Sequence, residues 1–213
     1  MSGTGLPDED VARRIRRGDR DAVDLFFDRF GGPLLGYLTG MAGEPALAED
    51  LLQETLLRVY RNIGRYRERG LFRAWVFRIA TNLALSHLRR RRLVPLAPLD
   101  ERALQIPDRS RPAPHEALES EERARWIDEG IETLPADQRA VFLLRVRHDL
   151  AVREIAAILC VPEGTVKSRF HHAVRKLRDH VERRECPESE ENRHDGLCGG
   201  ASGADRARVR RAR

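Results

Sequence analysis

The chain has 213 residues, of which 41% are hydrophobic and 34% charged, a balance that suits soluble globular folding and excludes a fibrous or low-complexity chain. No run of about 18 apolar residues occurs, and the opening "MSGTGLPDEDVARRIRRGD" is charged where a secretory signal would be apolar, so a cytoplasmic location is expected. A formal net charge of +5 and a pI near 9.6 point weakly to a polyanionic partner, and the placement of the charge decides more than its sum.

Apolar residues recur at helical spacing through most of residues 10–92, without the alternation of strands. This stretch reads as a first domain in an all-α chain. The spacing predicts helices over 19–30 (Ala22, Val23, Leu25, Phe26, Phe30), over 33–42 after a break at Gly31-Gly32-Pro33, over 45–63 and over 71–91. Phe26, Phe30, Tyr37, Tyr60, Phe72 and Trp75 are expected to give the bundle most of its bulk. In the last helix Phe72, Val76, Ile79, Ala80 and Leu83 share one face, while Arg78, Asn82 and Arg89 fall within about 40° of one another elsewhere, bordered by Trp75 and Ser86. A planar amide between guanidiniums, with an aromatic beside it, suits single-stranded nucleic acid: cations follow the backbone, rings stack on bases and an amide reads a base edge. Core filling is an equal reading for Trp75. The run from Arg89 through Arg90 to Arg92 exceeds what a helix end needs from its dipole, which favours nucleic-acid contact there.

Residues 93–117 hold five of the chain's eleven prolines and no sustained period, so they read as an extended linker. At roughly 3.3 Å per residue it reaches about 80 Å. Helical periodicity resumes over 118–184 as a cluster of four helices broken at Pro135. The tail, 185–213, lacks aromatics and nearly all large aliphatics, and disorder is expected. A solvated tail is the simpler reading of its final arginines, with nucleic-acid contact the alternative. Cys160, Cys186 and Cys198 form no CxxC pair, which argues against a disulfide framework; Cys160 reads as a small buried hydrophobe. Cys186, His194 and Cys198 leave a tetrahedral zinc site incomplete, so no metal or other cofactor is expected.

Between Ala151 and His180 a short helix carrying Ile155, Ala156 and Leu159, a tight connection at Cys160 to Pro162 and a second helix have helix-turn-helix spacing. The second helix has one apolar stripe, Val166, Phe170, Ala173, Val174 and Leu177. Lys167, Ser168, His171, His172 and Arg175 lie opposite, with Arg169 nearer the edge. Such a face neutralises phosphates and reaches base edges in a major groove; a merely solvated basic face is the plainer alternative. Adjacent histidines point about 100° apart on a helix, which disfavours a metal site at His171 and His172.

Over residues 10–184 these features resemble the bacterial extracytoplasmic-function (ECF) sigma factors. "AEDLLQETLLRVYRN" is similar to their polymerase-binding segment, "FRAWVFRIATNLALSHLRRRR" to the segment that melts and reads the minus-ten element, and "LPADQRAVFLLRV" with "EIAAILCVPEGTVKSRF" to the domain that reads the minus-thirty-five element. The resemblance implies that Asp50, Gln53 and Glu54 help dock core RNA polymerase and that Asn82 captures a flipped base, with Trp75, Arg78, Arg89 and Arg90 also at the minus-ten DNA. It further implies that Lys167, Ser168, Arg169, His171, His172 and Arg175 meet promoter DNA at the minus-thirty-five element, and that an anti-sigma factor is a partner. No catalytic motif is present and the resemblance requires none, so the chain is read as not an enzyme. Two departures stand out: Ala151 replaces the usual Ser or Thr cap, and the His171-His172 pair is unusual. A stand-alone helix-turn-helix regulator acting as a dimer is the rival reading, but it leaves the Arg78, Asn82 and Arg89 strip without a role.

Overall fold

Helix α1 (Asp8–Arg16) begins the structure, a computed structural model that describes residues 6–67, 70–93 and 114–185. Its acidic first turn and basic last turn complement the helix dipole, and Val11, Ala12 and Ile15 face inward. Helix α2 (Arg20–Ala42) starts where Asp19 Oδ1 accepts the Ala22 amide at 3.4 Å and Asp19 Oδ2 accepts Arg14 Nε at 2.7 Å. It ends at Gly43, whose φ of 72° is the left-handed cap that glycine adopts most easily. The break expected at Gly31-Gly32-Pro33 does not occur, and one helix runs through Pro33. Tertiary packing overrides the local cost, because Phe30 and Leu34 on either side are buried in the core at 3% and 0% exposure.

Helix α3 (Pro45–Asn62) carries proline in its first turn, where a missing N–H costs nothing. A short 3₁₀ turn, Ile63–Arg65, leads toward α4 (Phe72–Leu93). Glu9 of α1 ties this junction: its Oε1 accepts the Tyr66 hydroxyl at 2.5 Å and the Phe72 amide at 3.0 Å. Phe72 packs among Phe26, Phe30, Tyr66 and Trp75. Of the aromatics expected inside, Tyr60 is instead 60% exposed, since the position after buried Val59 faces outward on α3. Phe77 and Tyr66 take up core positions that the sequence reading did not assign.

The second unit comprises α5 (Pro114–Thr133), α6 (Ala136–Val146), α7 (Val152–Leu159) and α8 (Glu163–Glu185). Residues 114–117, expected in the linker, already belong to α5; residues 94–113 and the tail from 186 onward lie outside the described residues. Without a capping hydroxyl at Ala151, α7 keeps the other half of a capping box, in which Glu154 Oε2 accepts the Ala151 amide at 2.8 Å. Cys160 is exposed, not buried. It occupies the left-handed position that ends α7, with φ 54°, and the Val161 amide reaches back to the Ala156 carbonyl at 3.1 Å.

The two units share one continuous core, with α4 packed on α7 and α2 on α6. His148, in the turn after α6, lies 4.8 Å from the Phe77 ring and 5.7 Å from Tyr37, centroid to centroid. Arg73 Nη2 donates to the His148 carbonyl at 3.2 Å, and Arg139 Nη1 donates to the Met41 carbonyl at 2.9 Å. Leu143 seats over Gly40, where an added Cβ would stand 3.0 Å from Leu143 Cδ1.

Candidate nucleic-acid and polymerase interfaces

Helix α4 is amphipathic because Phe72, Val76, Phe77, Ala80, Thr81 and Ala84 are buried on one side. Thr81 is satisfied there: its hydroxyl donates to the Phe77 carbonyl at 2.7 Å and therefore accepts from the Tyr37 hydroxyl at 2.8 Å. Burial raises the Tyr37 phenol above its ordinary pKa. This fixed inner face leaves Arg78, Asn82 and Arg89 exposed together on the outer one, where the sequence reading puts them. Arg89 Nε donates to the Leu85 carbonyl at 3.2 Å, and Arg90 is exposed. Trp75 is half-buried, stacked 5.9 Å from Phe72 at 24°, and its remaining surface lines a cleft.

That cleft, about 320 Å³, is bordered by Arg65, Arg67 and Arg78 together with Trp75, and Ala157 and Ile158 of α7 close its far side. Arg65 and Arg67 were not among the residues expected at the site. Their signal was present in "GRYRERG", residues 64–70, a basic stretch punctuated by glycine just before a helix start. Three guanidiniums beside an indole make a setting for an anionic, planar group such as a nucleotide.

On α8, Val166, Ala173 and Leu177 are buried and Phe170 and Val174 half-buried, while Lys167, Ser168, His171, His172 and Arg175 are exposed. Arg169 differs from its neighbours. Its Nη2 lies 2.8 Å from Asp137 Oδ2 of α6, so its charge is already paired within the chain. The Ser168 hydroxyl donates to the Thr165 carbonyl at 3.0 Å, and the imidazoles of His171 and His172 stand 6.0 Å apart at 68°. Among the described residues no group of three or more His, Cys, Asp or Glu side chains could hold a metal ion.

On α3, Asp50 and Gln53 are exposed, and Glu54 Oε1 accepts Arg58 Nε at 2.6 Å one turn on. Beside Gln53 runs an apolar groove of about 440 Å³ between α2 and α3, lined by Val23, Phe27, Leu56, Leu57 and Tyr60. Asp24 and Asp28 stand exposed on the α2 side of it. An apolar trough with an acidic rim suits a partner that is apolar with basic flanks.

Residues 26–94 match Sigma-70 region 2 and residues 124–177 match Sigma-70, region 4. The RNA polymerase sigma-H factor of Pseudomonas aeruginosa is 29% identical over 78% of this chain and 89% of its own length. The ECF RNA polymerase sigma factor SigW of Bacillus subtilis is 30% identical over 78% of this chain and 92% of that protein. In fold the chain is similar to CnrH in complex with the cytosolic domain of CnrY, with a TM-score of 0.62, 21% identity and coverage of 83% of this chain and 98% of that one. The sigma factor RpoE in complex with the anti-sigma factor NepR from Bartonella quintana is also similar, with a TM-score of 0.57 and 22% identity over 70% of this chain and 89% of that one. The chain belongs to the ECF RNA polymerase sigma factors, which act in transcription initiation.

Proposed function

We propose that this sigma factor divides promoter recognition between its two units and adds no catalytic chemistry of its own. The α3 face with Asp50, Gln53 and Glu54, together with the apolar groove at Phe27, Leu57 and Tyr60, docks on core polymerase. The exposed face of α8 enters the major groove of the minus-thirty-five element, where Lys167 and Arg175 neutralise phosphates and Ser168, His171 and His172 meet base edges. Arg78, Asn82 and Arg89 receive the minus-ten strand, aided by Trp75 and Arg90. The observation that carries this reading is the shared exposure of Arg78 and Asn82 beside the cationic cleft of α4.

Capture of an unpaired base lowers the free energy of the open strand relative to the duplex, so recognition and melting are coupled. Among the described residues no helix is long and apolar enough to cross a membrane; action in the cytoplasm on promoter DNA accords with that. Of the two solved structures of similar fold, one holds CnrH in complex with the cytosolic domain of CnrY and the other holds RpoE in complex with the anti-sigma factor NepR, and an anti-sigma partner is expected here as well. Asn82→Ala should leave the complex with core polymerase intact and lower promoter opening at least tenfold. Permanganate footprints of the melted strand, made with reconstituted polymerase, test this; unchanged reactivity would remove Asn82 from the role.

A further inference from the structure

None of the residues assigned above to polymerase or to DNA lies on α1, yet this helix reaches the cationic cleft. Val11, Ala12 and Ile15 seat it in the core, and its first turn carries the Glu9 carboxylate to the stretch between the 3₁₀ turn and α4. Glu9 Oε1 accepts two donors there from different elements, the Tyr66 hydroxyl at 2.5 Å and the Phe72 amide at 3.0 Å. Arg16, two turns further along α1, brings Nη1 within 3.5 Å of the Tyr66 carbonyl. Tyr66 is thereby held both by its phenol and by its backbone.

The consequence falls on its neighbours. Tyr66 is 6% exposed and its backbone is extended, while Arg65 and Arg67 on either side of it are exposed and border the cleft. Drawing the phenol inward turns these two guanidiniums outward, and the Tyr66 ring backs the Trp75 indole at 5.1 Å between centroids. A hydrophobic side chain at position 9 would cover Tyr66 and Phe72 at lower cost, because Glu9 Oε2 is buried without a hydrogen-bond partner among the described residues. What the carboxylate adds is direction. One oxygen shared by two donors fixes the phenol relative to the start of α4, and an anion at the first amide of that helix complements its dipole. We infer that Glu9 is a positioning residue for strand capture: through Tyr66 it sets Arg65, Arg67 and Trp75 in the geometry that receives the unpaired minus-ten strand. An acid on α1 that touches no DNA thereby controls the rate of promoter opening. This rests on the reading of α4 and its cleft as the minus-ten surface.

Polymerase reconstituted with full-length variants tests this on a promoter taken from the transcript starts that the wild-type holoenzyme makes. Glu9→Leu removes both acceptor bonds and should slow promoter opening, followed by permanganate reactivity over time, by roughly fivefold or more. Its affinity for core polymerase, and that of the holoenzyme for double-stranded minus-thirty-five DNA, should change less than about twofold. Glu9→Gln keeps an oxygen where Oε1 stands and should restore opening to within about twofold of wild type. In a Trp126→Phe background, where Trp75 is the one tryptophan left, acrylamide quenching should rise in Glu9→Leu and not in Glu9→Gln. Tyr66→Phe deletes only the hydroxyl, so it decides the matter should Glu9→Leu fail to fold, and it should slow opening about threefold. Wild-type opening in Glu9→Leu or in Tyr66→Phe would overturn the positioning role, and equal defects in Glu9→Gln and Glu9→Leu would overturn the shared oxygen as its basis. Arg78→Ala tells a failure of Glu9 from a failure of the cleft itself. Slow opening there beside wild-type opening in Glu9→Leu rejects Glu9 alone, whereas wild-type opening in both rejects the minus-ten cleft as well.

Discussion

His148 carries more of the structure than its place in a turn would suggest. Burial, and then the nearby guanidiniums of Arg73 and Arg147, lower its pKa from the ordinary 6.5 to about 4. Tyr37 and Phe77 face it as neutral rings, Arg147 is itself paired with Asp128, and Asp149 is tied to Arg145. The neutral imidazole is thus the packed form. Between pH 4 and 6.5 the unfolded chain binds the extra proton, so this residue's contribution to stability is complete above pH 6.5 and is lost as pH falls toward 4. The slope approaches about 1.4 kcal/mol per pH unit inside that window. Urea unfolding of wild type and His148→Phe from pH 4.5 to 7.5 checks it: the difference between their midpoints should change with pH, and parallel curves would refute the linkage. The same attention to partners separates two cations of α8. Lys167 is exposed with no ion pair among the described residues, whereas Arg169 is held by Asp137. Lys167→Ala should lower the salt slope of duplex promoter binding by about 0.9, and Arg169→Ala by clearly less. Equal slopes would mean that the Arg169–Asp137 pair opens on DNA.

At the level of elements, the helices with one strong apolar stripe were legible from spacing alone, and so were the outward faces of α4 and α8. Arg78, Asn82, Lys167 and His171 stand exposed because Val76, Ala80, Val166 and Ala173 must be buried on the other side. What spacing could not show is where tertiary packing overrules a local breaker. Gly31, Gly32 and Pro33 carry the strongest stop signal in the first unit, yet α2 runs through them because Phe26, Phe30, Leu34 and Tyr37 form one buried row. Cys160 misled for the opposite reason. It ends an apolar run, but the backbone there turns left-handed and directs the side chain to solvent. The continuity of α2 has a measurable consequence. Gly36 lies in its interior, is exposed, and an added Cβ there meets nothing within 4 Å. Gly36→Ala should therefore stabilise the protein by about 0.5–1 kcal/mol, through lost unfolded-chain entropy and better helix propensity. A lower midpoint in urea would show that α2 is interrupted in solution.

For the whole molecule, the sequence marks two helical units but not their mutual packing, because helical spacing shows the apolar faces of α4 and α7 without showing that they pack on each other, and the His148 turn, Gly40 and two arginines that join the units elsewhere follow no periodic pattern. The consequence is thermodynamic. Each unit has its own buried set, Phe30, Tyr37 and Phe77 in the first and Leu144, Ile155 and Val166 in the second, yet all belong to one continuous cluster. Two cores that share an interface unfold together when the interface free energy is large compared with the difference between their own stabilities, and separately when it is not. Leu143 and His148 reach from the second unit into the first beside the packing of α7 on α4, so weakening their seats should loosen the coupling of the transitions without unfolding either unit. Scanning calorimetry of wild type should give one transition near neutral pH, with the calorimetric enthalpy matching the van't Hoff value. Gly40→Leu should give two, because its wedge acts on Leu143 alone and leaves the α2 core in place. A single transition merely shifted to lower temperature in Gly40→Leu would mean that α2 itself carries the damage, and that the seat of Leu143 is part of the first unit's own fold.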